Sequence, residues 1–154
     1  MPKRLLKLAN YRQTKESDCL AACASMMLEA VGIVVPYPRL LSILDVAPWG
    51  TPHRNICKLL EIIPNVRVTY RQGELTDLYR ALDTGLPPAV FVWTGELPYW
   101  SIATWHAVVL VGYDKQQFYV NDPAFAVAPQ PVGQGDFDLA WLAYDSYYAV
   151  VERG

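Results

Sequence analysis

Cysteine is scarce in this 154-residue chain, which has only Cys19, Cys23 and Cys57. A small, odd number of cysteines excludes the disulfide framework of a small secreted domain, so we expect reduced thiols in a reducing compartment. We expect Cys23 to pack in the core and Cys57 to be buried and inert. Because no paired C-x-x-C spacing is present, we expect neither a metal site nor a cofactor.

Excess charge and long apolar runs are also lacking. Charged residues make up 18% of the chain and the formal net charge is −2, which gives no electrostatic reason to expect nucleic acid or an anionic membrane as a partner. Apolar runs such as residues 107–111 are far too short to span a bilayer, and the basic start lacks a signal-peptide pattern. We expect a cytoplasmic protein that folds as a single domain over residues 1–154.

Two kinds of apolar pattern divide the chain. Helical spacing predicts five helices, at residues 20–31, 38–43, 53–63, 75–82 and 136–144. Alternating or continuous apolar runs predict five strands, at residues 66–71, 89–93, 106–113, 117–121 and 147–152. Gly32 and Gly85 are typical helix ends. Because most helices come first and an antiparallel sheet follows, the pattern favours an α+β fold.

Cys19 opens the first predicted helix, directly after the polar residues 13–18. Backbone N–H groups at a helix N-terminus have no intrahelical partners, and they stabilise a thiolate, which is the nucleophilic form of cysteine. Ser17 or Asp18 can cap this helix. The Cys19 backbone N–H and the Gln13 side-chain amide are candidate donors to an oxyanion. The placement makes Cys19 the candidate nucleophile.

His106 and Asp122 lie at the ends of two consecutive predicted strands. If Tyr113 pairs with Gln117 across the short connection, position 108 faces Asp122. His106 is then the diagonal neighbour of this carboxylate, at about 7–8 Å between Cα atoms. An imidazole and a carboxylate can meet across that gap, so a thiol, an imidazole and a carboxylate complete the parts of a nucleophilic cysteine enzyme.

Three segments, residues 13–28, 105–114 and 119–123, carry a resemblance to a known family. Their sequences are QTKESDCLAACASMML, WHAVVLVGYD and YVNDP. They resemble papain-like peptidases related to bacteriocin leader peptidases, which are the N-terminal domains of ABC exporters and cut peptide precursors after a double-glycine leader. The resemblance covers most of the chain and implies a papain-like fold, with N-terminal helices packed on a C-terminal antiparallel sheet.

The resemblance also implies roles for four residues. Cys19 is expected to be the nucleophile and His106 the base. Asp122 is expected to orient the imidazole, and Gln13 to donate a hydrogen bond in the oxyanion hole. Many exporter-linked members have glycine after the cysteine, whereas Leu20 follows here, and no transporter segment is present. The resemblance therefore implies a free-standing member.

Other residues near these positions have alternative interpretations. Asn121 could orient the imidazole in place of Asp122, but adjacent strand residues point to opposite faces, so only one of them can serve. His53, the second histidine, begins a predicted helix and is expected to be a surface or capping residue rather than the base. Trp100 and Trp105 lie in an aromatic stretch that either packs in the core or forms a substrate-binding rim for an extended peptide.

The sequence therefore predicts a cysteine peptidase that hydrolyses a peptide or peptide-like amide bond through a thioacyl-enzyme. Its partner is expected to be a peptide or protein substrate, and leader-peptide or precursor processing is one use of such chemistry. Two alternatives stay open: an acyltransferase with the same thioacyl intermediate, and a catalytically silent module that binds a peptide in the cleft. Association with an exporter or a precursor peptide also stays open.

Overall fold

The structure is a computed structural model that describes residues 3–154. The strands in this range are β1 (Arg4–Leu5), β2 (Val66–Gln72), β3 (Ala89–Trp93), β4 (Trp105–Tyr113), β5 (Gln117–Asn121), β6 (Gln130–Gly133) and β7 (Tyr147–Arg153). The helices are α1 (Cys19–Ala30), α2 (Tyr37–Ile43), α3 (Leu59–Ile62), α4 (Leu75–Asp83) and α5 (Gln134–Leu142). Short 3-10 turns occur at Glu16–Asp18, His53–Lys58 and Thr94–Glu96. None of the helices within residues 3–154 is both long enough and apolar enough to cross a lipid bilayer.

The strands form one antiparallel sheet in the order β2-β7-β3-β4-β5-β6, and β1 adds to β4. Helices α1 and α2 cover one face of the sheet, where they pack with Ala107, Val109 and Val111 of β4. Helices α4 and α5 cover the other face, where they pack with Val108 and Leu110. The strand alternation therefore buries both faces of β4, and the predicted α+β class is confirmed.

Two strands, β1 and β6, do not appear among the predicted elements. Strand β1 has only two residues, which is too short to show a period of two. Its approach to β4 depends on Gly112, because a Cβ atom there would overlap the carbonyl oxygen of Arg4. Helices α1 and α4 end shortly before Gly32 and Gly85, as predicted.

The hairpin of β4 and β5 keeps the predicted register near the candidate site but not at its turn. Tyr113 pairs with Phe118, so the predicted pairing of Tyr113 with Gln117 is wrong. An irregularity between Leu110 and Gly112 shifts the register by one residue, and beyond it Val109 pairs with Asn121. The bulge and the longer turn cancel, and position 122 therefore lies opposite position 108, as expected.

The segment predicted as one helix over residues 53–63 is a 3-10 turn followed by the single α-helical turn of α3. Ile56 is buried, but Cys57 is exposed, so the prediction that Cys57 is buried is wrong. A 3-10 turn has three residues per turn, which rotates Cys57 by about 120° from its buried neighbour. Cys23 is completely buried in α1, as predicted.

Candidate active site

Cys19 is the first residue of α1 and directly follows the 3-10 turn Glu16–Asp18. The buried carboxylate of Asp18 fixes this turn, because it accepts hydrogen bonds from the Lys15 backbone N–H at 2.9 Å and the Thr14 hydroxyl at 2.7 Å. Asp18 is the N-cap residue of α1, but its side chain bonds to the residues before it rather than to α1. The turn leaves the half-buried Cys19 thiol at the wall of a surface groove.

His106 is the second residue of β4, and Asp122 directly follows β5. The two buried side chains form a hydrogen bond of 2.7 Å between Nε2 and Oδ1. The Tyr99 hydroxyl and the Trp100 indole N–H donate to Oδ2 at 2.7 Å and 2.8 Å. The Ala124 backbone N–H donates to Oδ1 at 2.9 Å. Four donors therefore hold the carboxylate in one orientation.

Burial and hydrogen bonding act in opposite directions on the pKa values of this pair. Burial lowers the pKa of His106, but hydrogen bonds with Asp122 and Cys19 and the charges of both outweigh burial and raise the pKa to about 9. Burial raises the pKa of Asp122, but the hydrogen bond and charge of His106, together with the hydrogen bonds from Ala124 and Tyr99, outweigh burial and lower the pKa. At neutral pH the pair is therefore an imidazolium and a carboxylate, and Nδ1 is the ring nitrogen left for Cys19.

Asn121 points away from the imidazole. Its Nδ2 donates to the Leu8 carbonyl at 3.1 Å and lies 3.8 Å from the sulfur of Met26, beneath α1. Neighbouring residues of a strand face opposite sides, and this alternation separates the two candidates. The structure places Asp122, and not Asn121, against His106.

Gln13 lines the same groove as His106. Within residues 3–154 its side chain donates to Lys15, and it forms no hydrogen bond with Cys19. Its backbone N–H donates to the Pro123 carbonyl at 2.9 Å, which ties this segment to the loop that carries Asp122. Its side-chain Nε2 donates to the Lys15 carbonyl at 3.0 Å. An amide nitrogen has two hydrogens, so one donor of Gln13 is left.

Two grooves meet at Cys19 and His106. The first groove has a volume of about 570 Å³ and is lined by Cys19, and the second has a volume of about 550 Å³ and is lined by His106. Both volumes fall in the range of about 300–1,000 Å³ that ligand sites occupy. The grooves share Glu16, Thr104 and Trp105 as walls. The thiol and the imidazole therefore lie in the middle of a cleft that extends to both sides.

The two tryptophans predicted to bind substrate occupy different places in this cleft. Trp100 packs edge to face on His106, with ring centroids 4.9 Å apart, and also lines the second groove. Its contacts with His106 and Asp122 make it a support of the pair as well as a wall. Trp105 is 51% exposed and lines both grooves, which fits a rim.

His53 is not a surface residue, so that prediction is wrong. Its ring stacks on Phe91 with centroids 4.3 Å apart and lies 4.8 Å from the ring of Tyr144, at the edge of the first groove. Burial, and secondarily the charge of His106, lower the pKa of His53 to about 4 and keep its ring neutral. A neutral imidazole can pack against the apolar side of the sheet. The sequence around Pro52 predicts the start of a helix but does not indicate that His53 stacks on Phe91.

Two other residues of the site were not predicted. Tyr99 lies in the recognised aromatic stretch, but its hydrogen bond to Asp122 depends on the course of the 94–104 loop. Trp49 is 89% exposed in the groove that Cys19 lines, and the neighbouring Pro48, Gly50 and Pro52 indicate a turn but not what the turn faces. Among residues 3–154, no group of three or more histidine, cysteine, aspartate or glutamate side chains is arranged to hold a metal ion.

A cysteine at the start of a helix that packs on an antiparallel sheet, beside a histidine on the neighbouring strand, is the arrangement of the papain-like cysteine peptidase fold. The model of the Peptidase_C39 like family matches residues 5–149. The chain belongs to this family.

Solved structures share this fold across nearly the whole chain. A C39-like protein from Bacillus anthracis aligns with a TM-score of 0.81 and 17% identity over 99% of this chain and 98% of that one. The peptidase domain of Streptococcus ComA, a bifunctional ABC transporter involved in a quorum sensing pathway, aligns with a TM-score of 0.76 and 18% identity over 96% and 98%. A double glycine motif protease from an AMS/PCAT transporter, solved with its leader peptide, aligns with a TM-score of 0.74 and 18% identity over 99% and 96%.

A curated relative is the uncharacterized protein YvpB of Bacillus subtilis (strain 168). It is 25% identical over 118 residues, which cover 68% of this chain and 47% of YvpB. The chain spans about half the length of this relative.

Proposed function

We propose that the chain is a cysteine peptidase that hydrolyses a peptide or peptide-like amide bond through a thioacyl-enzyme. The observation that supports this most is the hydrogen bond of 2.7 Å that holds one ring nitrogen of His106 against Asp122, while Cys19 lies at the start of α1. The Cys19 thiol is close enough to the imidazole to raise its pKa. An imidazolium beside a thiol stabilises the thiolate, and the start of α1 adds to that effect.

In the proposed reaction, the Cys19 thiolate attacks the substrate carbonyl carbon, and a carbon–sulfur bond forms. The proton on His106 then passes to the leaving amine as the carbon–nitrogen bond breaks, which leaves a thioacyl-enzyme and a neutral imidazole. A water molecule gives a proton to His106 and attacks the thioester, and the acid and the thiolate are released. Asp122 keeps the imidazole in the orientation that both steps need.

The tetrahedral intermediates of this reaction carry an oxyanion. The Cys19 backbone N–H lies at the start of α1, where helix geometry provides no partner for it. We assign Gln13 as the second donor, because it borders the groove of His106 and its segment is fixed to the Asp122 loop through the Pro123 carbonyl. Removal of one such donor costs about 10²–10³ in kcat in other enzymes.

The expected substrate is an extended peptide or a segment of a protein, because the cleft continues on both sides of the thiol. The structural relative solved with its leader peptide supports a peptide substrate, and precursor processing is therefore the first activity to test. A cytoplasmic location and association with an exporter or a precursor peptide stay predictions from the sequence.

The decisive experiment uses an inactive protein as a trap. Cys19→Ser protein is mixed with peptides from its host, the bound peptides are identified by mass spectrometry, and each is then offered to the wild-type protein. We expect cleavage by the wild type and by Cys57→Ala, which removes an exposed thiol outside the cleft, and none by Cys19→Ala. Hydrolysis by Cys19→Ala would rule the mechanism out.

The same peptides separate the two alternative functions. An acyltransferase would convert the trapped peptide to an amide or thioester when amines or thiols are added, at the expense of the free acid. A silent binding module would retain the peptide without converting it. A peptidase gives the free acid as its main product under both conditions.

A further inference from the structure

The first groove differs from the second in its chemical character. Apart from Glu16 and the Cys19 thiol, its lining side chains carry no charge at neutral pH. Its aromatic walls form a connected set, because Trp105 packs on Tyr144 at 5.4 Å and Tyr144 lies 4.8 Å from His53. An uncharged aromatic surface of this kind favours apolar ligand groups.

The neutral His53 defines the edge of the groove that is nearest the core. The residue is only 8% exposed, and its Nδ1 has no hydrogen-bond partner among the described residues. Because one face of the ring is stacked on Phe91, the imidazole cannot turn away from the groove without losing that packing. The neutral ring offers no charge to a ligand group that packs against it, so a charged group would lose hydration there at a cost that an apolar group does not have.

Trp49 extends the aromatic surface into solvent on a rigid turn. The turn is closed by two backbone hydrogen bonds between Ala47 and Gly50, and the φ of +123° at Gly50 requires glycine. The Thr51 hydroxyl donates to the Ser17 carbonyl at 3.2 Å, which fixes this loop to the entry of α1. Trp105, which is 51% exposed, lines the same groove, so the two tryptophans form an exposed aromatic patch beside the thiol, and exposed apolar patches mark ligand-binding grooves.

The proposed chemistry identifies which part of a substrate the groove receives. The leaving amine must face His106, which protonates it, and His106 lines the second groove. The acyl part, which lies N-terminal to the broken bond, must therefore extend from Cys19 in the opposite direction. That direction is the first groove.

We propose that the first groove binds the acyl part of the substrate and selects a large, uncharged apolar side chain there. Trp49, His53, Trp105 and Tyr144 provide the contacts. A pair of glycines, the motif named for the transporter-linked relative, would leave these aromatic surfaces without contact. The proposal deepens the peptidase function above and rests on it.

The test measures how fast peptidyl chloromethyl ketones alkylate Cys19. In a matched set, each of the two residues before the ketone is in turn Phe, Leu, Gly, Asp or Lys. Each rate is divided by the rate with iodoacetamide, which does not use the groove, so the ratio reports the groove alone. We expect the best Phe or Leu probe to exceed the glycine, aspartate and lysine probes by on the order of tenfold, as burial of a large apolar side chain predicts.

Two variants locate this preference. Trp49→Ala is expected to reduce the preference for Phe and Leu over glycine by about threefold or more. Leu139→Ala is the matched control, because Leu139 is an exposed apolar residue on α5 outside both grooves. Glycine or charged probes that react as fast as Phe and Leu, or a full preference in Trp49→Ala, would overturn the proposal.

A binding measurement tests the groove assignment independently of the peptidase proposal. The same peptides, with a C-terminal amide in place of the ketone, are titrated into Cys19→Ala protein by calorimetry. Tighter binding of the Phe and Leu peptides supports the groove assignment even if the wild-type thiol is unreactive, an outcome that would refute the peptidase proposal alone. Equal or tighter binding of the glycine peptides refutes the groove assignment alone.

Discussion

Replacing Asp122 with asparagine tests whether the carboxylate supports the candidate base His106, because the two side chains have nearly the same size. The native carboxylate accepts four hydrogen bonds, two at each oxygen. An amide has one oxygen, so its NH₂ group must face either the His106 and Ala124 donors or the Tyr99 and Trp100 donors. In either orientation one neighbour can accept from the NH₂ group, namely the neutral imidazole or the Tyr99 hydroxyl, so a single donor, the Ala124 N–H or the Trp100 indole N–H, loses its acceptor. A buried donor left without an acceptor costs about 1–3 kcal/mol, so we expect the free energy of unfolding to fall by about that amount.

The same substitution changes the charge state of the imidazole. The hydrogen bond with Asp122 is the largest influence that raises the pKa of His106 to about 9, and burial alone lowers that pKa. In Asp122→Asn the imidazole is therefore expected to be neutral at pH 6 to 7, and Cys19 loses its cationic partner. An ordinary thiol is only about 0.3% thiolate at pH 6, so alkylation of Cys19 by iodoacetamide at that pH should fall by roughly ten- to hundredfold.

The assay is the rate of Cys19 alkylation from pH 5 to 9, with urea titration of the same samples to show that they are folded. Asn121→Ala is the matched control, because Asn121 bonds the Leu8 carbonyl beneath α1 rather than the imidazole. The control is expected to lose about 1 kcal/mol of stability and to keep the wild-type pH profile. A folded Asp122→Asn protein with a wild-type profile would refute this reasoning.

Three further predictions concern the same region of the fold. Trp100→Phe keeps the packing on His106 but removes the indole donor to Asp122, so we expect a loss of about 1 kcal/mol by urea titration and a lower alkylation rate at pH 6. Because the pKa of His106 is raised from 6.5 to about 9 on folding, its contribution to stability is complete below about pH 6.5 and is lost as the pH rises through 9. The free energy of unfolding in urea should therefore fall by roughly 3 kcal/mol across that window, and a flat profile would contradict the assignment. Gly112→Ala should cost about 1–3 kcal/mol, because its Cβ overlaps the Arg4 carbonyl; unchanged stability would show that β1 moves freely.

The sequence could predict the strand pair that carries the candidate base, because the period of a strand fixes which residues share a face. It placed His106 and Asp122 together even though the assumed turn was wrong. The error at Tyr113 had no effect on the site, because a bulge between Leu110 and Gly112 restored the register. A bulge depends on packing at both faces of β4, and no local pattern predicts it.

Contacts between distant segments could not be derived from local patterns. The approach of Cys19 to His106 depends on how α1 lies across the sheet, and only the family resemblance indicated it before the structure did. The stacking of His53 on Phe91 and the bond from Tyr99 to Asp122 depend in the same way on the packing of separate segments. Local sequence patterns indicate which segments form helices and strands, but not how these segments pack against one another.

The most direct test of the central claim, that Cys19 is an activated nucleophile, uses another thiol of the same chain as its standard. Cys57 is exposed, although partial burial of its thiol raises the pKa of that thiol. Cys19 is half-buried beside the imidazolium. Wild-type protein is treated briefly with iodoacetamide at pH 6, and peptide mass spectrometry measures the alkylated fraction at each position. We expect Cys19 to react at least about tenfold faster than the more exposed Cys57. Equal rates, or faster reaction at Cys57, would contradict the claim.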